Sequence, residues 1–193
     1  MTSLTNKLIL SALLACALPS WAAIELKGAK FSDTYQVGAQ ALQLNGAGIR
    51  VKVIVDVYAA GLYVVKKDHT VAGLLGQHGP KSLQIVLLRD LTGEDFADAM
   101  IKGFTKNNSA AEVAKYQSKL DEIRTLMVAF GAVKKGTNIH IDNAPGAGIS
   151  VVVDGVKKGP DVGNEEFYAA LLKIWLGNSP VDSDLKDALL GSK

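Results

Sequence analysis

Between residues 41 and 88 the apolar positions fall in short runs, Ala41 to Leu44, Val51 to Val57, Leu62 to Val65 and Leu83 to Leu88, separated by clusters of Gly, Asn, Asp and Lys. Runs of this length, rich in Val, Ile, Leu and Tyr, predict strands, and their short connections predict antiparallel neighbours. The period then changes. Thr92 with Asp95, and Ser109 with Glu112, have the spacing of boxes that cap helix N-termini. Behind the first, Phe96, Met100 and Phe104 share one face at four-residue spacing. Behind the second, Val113, Tyr116, Leu120, Ile123, Met127 and Phe130 form one stripe, with Gly131 as the stop. Ile139 to Ile141 and Ile149 to Val153 return to the strand pattern around a Pro145, Gly146 turn, and Asp154, Gly155 marks a tight hairpin. A helix from about Glu165 to Leu176 and a short one from about Leu185 to Leu190, stopped by Gly191, close the chain. The order predicts an α+β fold, an antiparallel β-sheet with helices packed on one face.

The first 22 residues break this pattern. A single positive charge at Lys7, an apolar run from Leu8 to Leu18, Pro19 and the small residues Ser20 and Ala22 read as an export signal cleaved near Ala22. The run is about half the roughly 20 residues that span a bilayer, so no stable membrane span is expected there. Leu13 to Cys16 offers a lipoprotein box as the lesser alternative. Loss of the signal removes Cys16, the chain's one cysteine, and leaves residues 23–193 as one domain in a periplasmic or secreted setting without a disulfide. The net charge of +2, which becomes +1 when Lys7 is lost with the signal, gives no electrostatic footprint for nucleic acid or acidic membranes. The residues carry no reading of an oligomeric state.

The familiar catalytic and cofactor patterns are missing. His69, His78 and His140 lack metal-ligand spacing, and Gly46 with Gly48 is not a dinucleotide loop, because Val51 stands where the third glycine belongs. No nucleophile elbow is present. Neither a metal nor a cofactor is therefore expected. Arg89 and Asp90 read as a local ion pair at a strand end, and Lys134 and Lys135 as cations suited to a helix C-terminus. What remains is Arg50, set between a glycine-loosened backbone (Gly46, Gly48) and strand-forming sequence. It is either a strand residue with its head in water or a buried cation aimed at an anion.

Four segments in order carry a resemblance: Gly46 to Arg50, Tyr58 to Tyr63, Leu91-Thr92-Gly93 leading to Phe96, and Trp175-Leu176-Gly177 before Pro180. With these the chain resembles the chalcone isomerase-like family, and within it the bacterial exported branch. The resemblance implies an open-faced sandwich. In the plant enzymes the arginine matching Arg50 orients a phenolate and polarises a carbonyl during ring closure, so Arg50 is the catalytic candidate if this chain is an enzyme. In fatty-acid-binding relatives the matching arginine, with a tyrosine, holds a carboxylate. The chain departs from the enzymes at Phe96, where they carry a tyrosine, at Tyr58, where they carry a threonine, and near Tyr168, where they carry a small hydroxyl residue. Its segment from Arg50 to Tyr58 is also shorter. These features imply a binding site of Arg50, Tyr58, Phe96 and Tyr168 for a small amphipathic, fatty-acid-like anion in a cleft between helices and sheet. The alternatives are an isomerase (an intramolecular lyase) acting on a chalcone-like enone and a structural or partner-binding protein.

Overall fold

The structure, a computed structural model, describes residues 23–192. The export segment expected over residues 1–22, with its cleavage near Ala22 and the Cys16 alternative, lies outside them. β1 (Ala23–Leu26) and β2 (Ala29–Ser32) form a hairpin. β3 (Thr34–Val37), β4 (Gln40–Lys52), β5 (Val55–Val64), β6 (Lys81–Leu87), β9 (Asn138–Ala144), β10 (Gly148–Val153) and β11 (Val156–Val162) form one antiparallel sheet in the order β11-β10-β9-β6-β5-β4-β3. A two-strand ladder, β7 (Leu91–Thr92) with β8 (Ala132–Val133), closes the base of the helical layer.

α1 (Val71–Gly76), α2 (Gly93–Asn107), α3 (Ala110–Val128), α4 (Glu165–Leu176) and α5 (Ser183–Leu189) supply the helices. Both expected caps form. The Thr92 side chain accepts from the Asp95 amide, while Ser109 and Glu112 exchange side-chain-to-backbone bonds in a complete capping box. The α3 stripe is buried at Tyr116, Leu120, Ile123 and Met127 and partly buried at its ends, Val113 and Phe130. α4 lies against α2 and the sheet with Phe167, Tyr168, Leu171, Ile174 and Trp175 all buried. Each such side chain contributes about 1.5–3 kcal/mol by leaving water. The α+β architecture with helices on one face is the one the sequence predicts. On the other face the β1–β2 hairpin, whose strands the sequence did not reveal, presses Phe31 against Leu42, Leu44 and Tyr63 to make a second apolar cluster.

Three expectations require correction. Residues 46–50 are not a loosened connection, because β4 runs unbroken from Gln40 to Lys52. Conversely, the apparent strand Val51 to Val57 contains the β4–β5 turn, with Val53 at φ +62° and Lys52 paired to Val55. No glycine, proline, asparagine or aspartate marks that turn, so strand propensity concealed it. The Arg89–Asp90 pair is also absent: the Asp90 carboxylate accepts from Lys134 Nζ at 2.9 Å and from the Lys135 amide at 2.8 Å.

Candidate functional site

The direction in which Arg50 points is set by an irregularity in β4. Strand side chains alternate, so Leu42, Leu44, Gly46, Gly48 and Arg50 would all share one face of a regular strand. Leu42 and Leu44 do face the β1–β2 hairpin. Between Leu44 and Gly46 the register shifts: Leu44 pairs with Tyr63 and Gly46 with Leu62, which leaves Asn45 as an extra residue. This bulge inverts the alternation, and from Gly46 onward the even positions face the helices. Asn45 is itself buried. Its amide donates to the Leu189 carbonyl at 2.7 Å, and its side-chain oxygen accepts from the Asp68 amide at 2.9 Å.

α5 then packs directly on the inverted segment. A Cβ on Gly46 would lie 2.0 Å from the Ala188 carbonyl oxygen, and one on Gly48 would lie 2.6 Å from the Ala188 Cβ. The two glycines are therefore present for close approach of a helix. Asp182 caps α5 by accepting from the Leu185 amide and also accepts from the Val51 amide at 2.8 Å, which ties the end of β4 to the start of α5 beside Arg50.

Arg50 is the cross-strand partner of Tyr58, and its guanidinium carbon sits 5.4 Å from the Tyr58 ring centre. Such a contact stabilises by about 0.5–2 kcal/mol according to its exposure to water. Its Nε is buried without a hydrogen-bond partner, and among the described residues the side chain makes no ion pair. Tyr58 is fully enclosed. The Trp175 indole N–H donates to its hydroxyl at 2.8 Å, and Phe96 meets its ring edge-on at 6.4 Å. Burial pushes the Tyr58 hydroxyl up to about 12, only partly offset by the Arg50 charge and the Trp175 bond. It stays a neutral phenol at physiological pH, and among the described residues its own proton meets no acceptor.

These groups border two spaces. The inner one is an apolar recess lined by Arg50, Tyr58, Phe96, Met100, Met127 and Trp175, among others, with a volume of ≈ 20 Å³. That is room for about one water. The outer one is an open vestibule of ≈ 380 Å³ bounded by Arg50, Lys52, Asp95, Asp98, Lys102, Lys106 and the Ser179–Val181 segment. Arg50 belongs to both, so its guanidinium stands at the threshold between a cationic entrance and a greasy interior. The arrangement can receive an anion from the solvent side with a fixed cation and a phenolic donor.

Of the residues singled out in the sequence, Arg50, Tyr58 and Phe96 come together. Tyr168 lies outside the recess lining, buried in α4 with its hydroxyl donating to the Ile141 carbonyl at 2.9 Å. Sequence reasoning passed over Asn45 and Asp182, which aim the strand, and it gave Trp175 only as an apolar helix residue and part of a motif. Among the described residues no group of three or more His, Cys, Asp or Glu could hold a metal ion, and no helix is long and apolar enough to cross a membrane.

The profile of the family described as chalcone isomerase-like matches residues 23–191. No curated protein sequence matches the chain. Among solved structures, the fatty-acid binding protein of Arabidopsis thaliana superposes with a TM-score of 0.68 at 16% identity, over 89% of this chain and 97% of that one. At that identity the likeness is one of fold.

Proposed function

Because the chain belongs to the chalcone isomerase-like family, we propose that it binds a small amphipathic anion of the fatty-acid type, with the acid group on Arg50 and Tyr58 and the tail directed past Phe96, and that it does so without catalysing a reaction. The observation that carries this reading is the unpaired guanidinium, whose buried Nε has no partner, at the mouth of an apolar recess. A buried or half-buried cation is normally matched by an anion, and here the described residues supply none. The shared fold with a plant fatty-acid binding protein gives further support.

A tail needs more room than the recess holds, since small-molecule pockets run to about 300–1,000 Å³. The lining includes Met100 and Met127, the side chains best able to rearrange, and Phe96, which is only partly buried. The tail enters as these side chains turn aside. Titration with a long-chain fatty acid such as oleate, followed by calorimetry and native mass spectrometry, tests the reading. Wild type binds, and Arg50→Ala loses roughly 2–5 kcal/mol. Equal affinity in the two proteins removes the proposal.

One observation favours a second reading. A recess filled by the protein's own side chains suits a structural or partner-binding role, and failure of both proteins to bind any amphiphile would support it. The isomerase alternative retains Arg50 but has no hydroxyl at Phe96 to hold an enone substrate. We also propose that the protein acts after export, on the strength of the sequence of residues 1–22. Fractionation of cells expressing the full chain, with and without that segment, tests this.

A further inference from the structure

Four two-residue hairpin turns occur among the described residues, and three obey the usual chemistry. Lys27-Gly28, Gly38-Ala39 and Asp154-Gly155 each place a glycine at positive φ. The fourth, between β4 and β5, is Val53-Ile54. Val53 adopts φ +62°, a conformation that β-branched residues avoid, and these two side chains are 91% and 88% exposed. Val51 and Val55 beside them are also exposed, so four of the seven exposed large apolar residues described fall within five positions. Neither turn preference nor core packing accounts for this choice. A strained, water-facing apolar pair persists where something other than folding uses it.

The surroundings indicate what. The tip begins three residues beyond Arg50, about 10 Å along the strand. The vestibule at its base carries Lys52, Lys102 and Lys106, and among the described residues none of their ammonium groups makes an ion pair or hydrogen bond. Its acidic groups are engaged: Asp98 pairs with Arg124 at 2.8 Å, Asp95 accepts from Thr92 at 2.7 Å, and nearby Asp182 accepts from the Val51 and Leu185 amides. Across the β1–β2 turn Lys27 pairs with Asp56 at the base of the hairpin. The site thus has an apolar point with free cations behind it. Two side chains fall far short of the roughly 800 Å² per partner that a stable protein interface buries. They suit shallow insertion into a lipid surface, where basic residues meet anionic headgroups.

We infer that the Lys52–Val55 hairpin tip docks this protein on an anionic bilayer, with Val53 and Ile54 inserted among the acyl chains and the Arg50 vestibule turned toward the headgroups. An amphipathic anion could then pass between bilayer and recess without crossing bulk water. That transfer role rests on the reading in the preceding section, whereas the docking itself does not.

Co-sedimentation of the ligand-free protein with phosphatidylglycerol-containing vesicles, compared with pure phosphatidylcholine vesicles, tests the inference. Wild type pellets with the anionic vesicles and is released by salt. Val53→Asp with Ile54→Asp weakens this by about tenfold or more. A second pair, Val53→Gly with Ile54→Ser, supplies the turn chemistry the hairpin prefers; it loses vesicle binding while folding at least as stably as wild type by urea denaturation. Absence of wild-type binding, or equal binding by the second pair, overturns the inference. So does a tip-dependent dimer in sedimentation velocity without vesicle binding, which would assign the tip to a second copy. Oleate titration without vesicles separates the two proposals: variants that bind oleate but not vesicles sustain docking, and wild type that binds vesicles but not oleate sustains docking while the ligand reading fails.

Discussion

Gly46 and Gly48 show how a motif can be read correctly as a unit and wrongly residue by residue. Both precede an arginine with functional promise, yet their hydrogens face Ala188 of α5 and no ligand. Gly48→Ala would place one methyl against another, at a cost of about 1–3 kcal/mol for overpacking. Gly46→Ala would meet a backbone carbonyl oxygen at 2.0 Å, so α5 itself must move and the loss is larger. Urea denaturation of the two variants checks that order, and a reversed order would show that α5 does not rest on Gly46 as described. Arg50 was legible because a lone cation in strand-forming sequence is seldom buried without a partner, and Tyr58 because the family resemblance pairs that arginine with a tyrosine. The bond from Trp175 to Tyr58 was not, since 117 residues separate the partners.

At the scale of elements, β4 carries more information than any helix. α2 and α3 could be located in the sequence because capping boxes and apolar stripes are local signals, complete within a few turns. The Asn45 bulge has no such signature. Its consequence is that Arg50 faces the helices, where regular alternation would have put it against the β1–β2 hairpin. The Asn45 side chain holds the bulge by bonding the Leu189 carbonyl and the Asp68 amide. Asn45→Ala leaves both backbone groups without that partner and should cost roughly 2–4 kcal/mol. Thermal denaturation measures the loss. A change within 0.5 kcal/mol, the range of an ordinary surface substitution, would mean that the bulge stands without its side chain.

The whole molecule is a sheet with an apolar cluster on each face, but the face under the β1–β2 hairpin also encloses a polar group. His140 stacks on Tyr35 with ring centres 4.0 Å apart, and its Nδ1 lies 3.1 Å from the Ser82 hydroxyl. Asp142 accepts from the Tyr35 hydroxyl at 3.2 Å. Burial lowers the His140 pKa from its usual 6.5 to about 4 and raises that of Asp142. Between pH 4 and 6.5 the unfolded chain therefore binds more protons at His140 than the folded one, and stability falls as pH drops through that window, by up to about 3 kcal/mol. Asp142 has the opposite sign. Its raised pKa costs stability as pH rises above its unfolded value, so its protonation offsets part of the histidine loss at the acid end. Urea midpoints measured from pH 7 to pH 4 should fall for wild type and stay flatter for His140→Asn; parallel curves would refute the assignment.

From the sequence alone followed the succession of strands and helices, the apolar face of each major helix, the expectation of an α+β sandwich, and the identity of the cation worth watching. The elements and their faces rest on interactions within about twenty residues, where period and cap chemistry act directly, whereas Arg50 stood out through the resemblance of its motif to the family. Tertiary structure decided which side of the sheet Arg50 occupies, that α5 lies on Gly46 and Gly48, that Val53 and Ile54 form a tip, and that the recess is nearly closed. Apart from the tip, a local turn that strand propensity concealed, each depends on contacts between segments distant in the chain or on how fully side chains from several elements occupy one space. Hydrophobic pattern states which surfaces will be buried, while packing determines the register and the volume left between them.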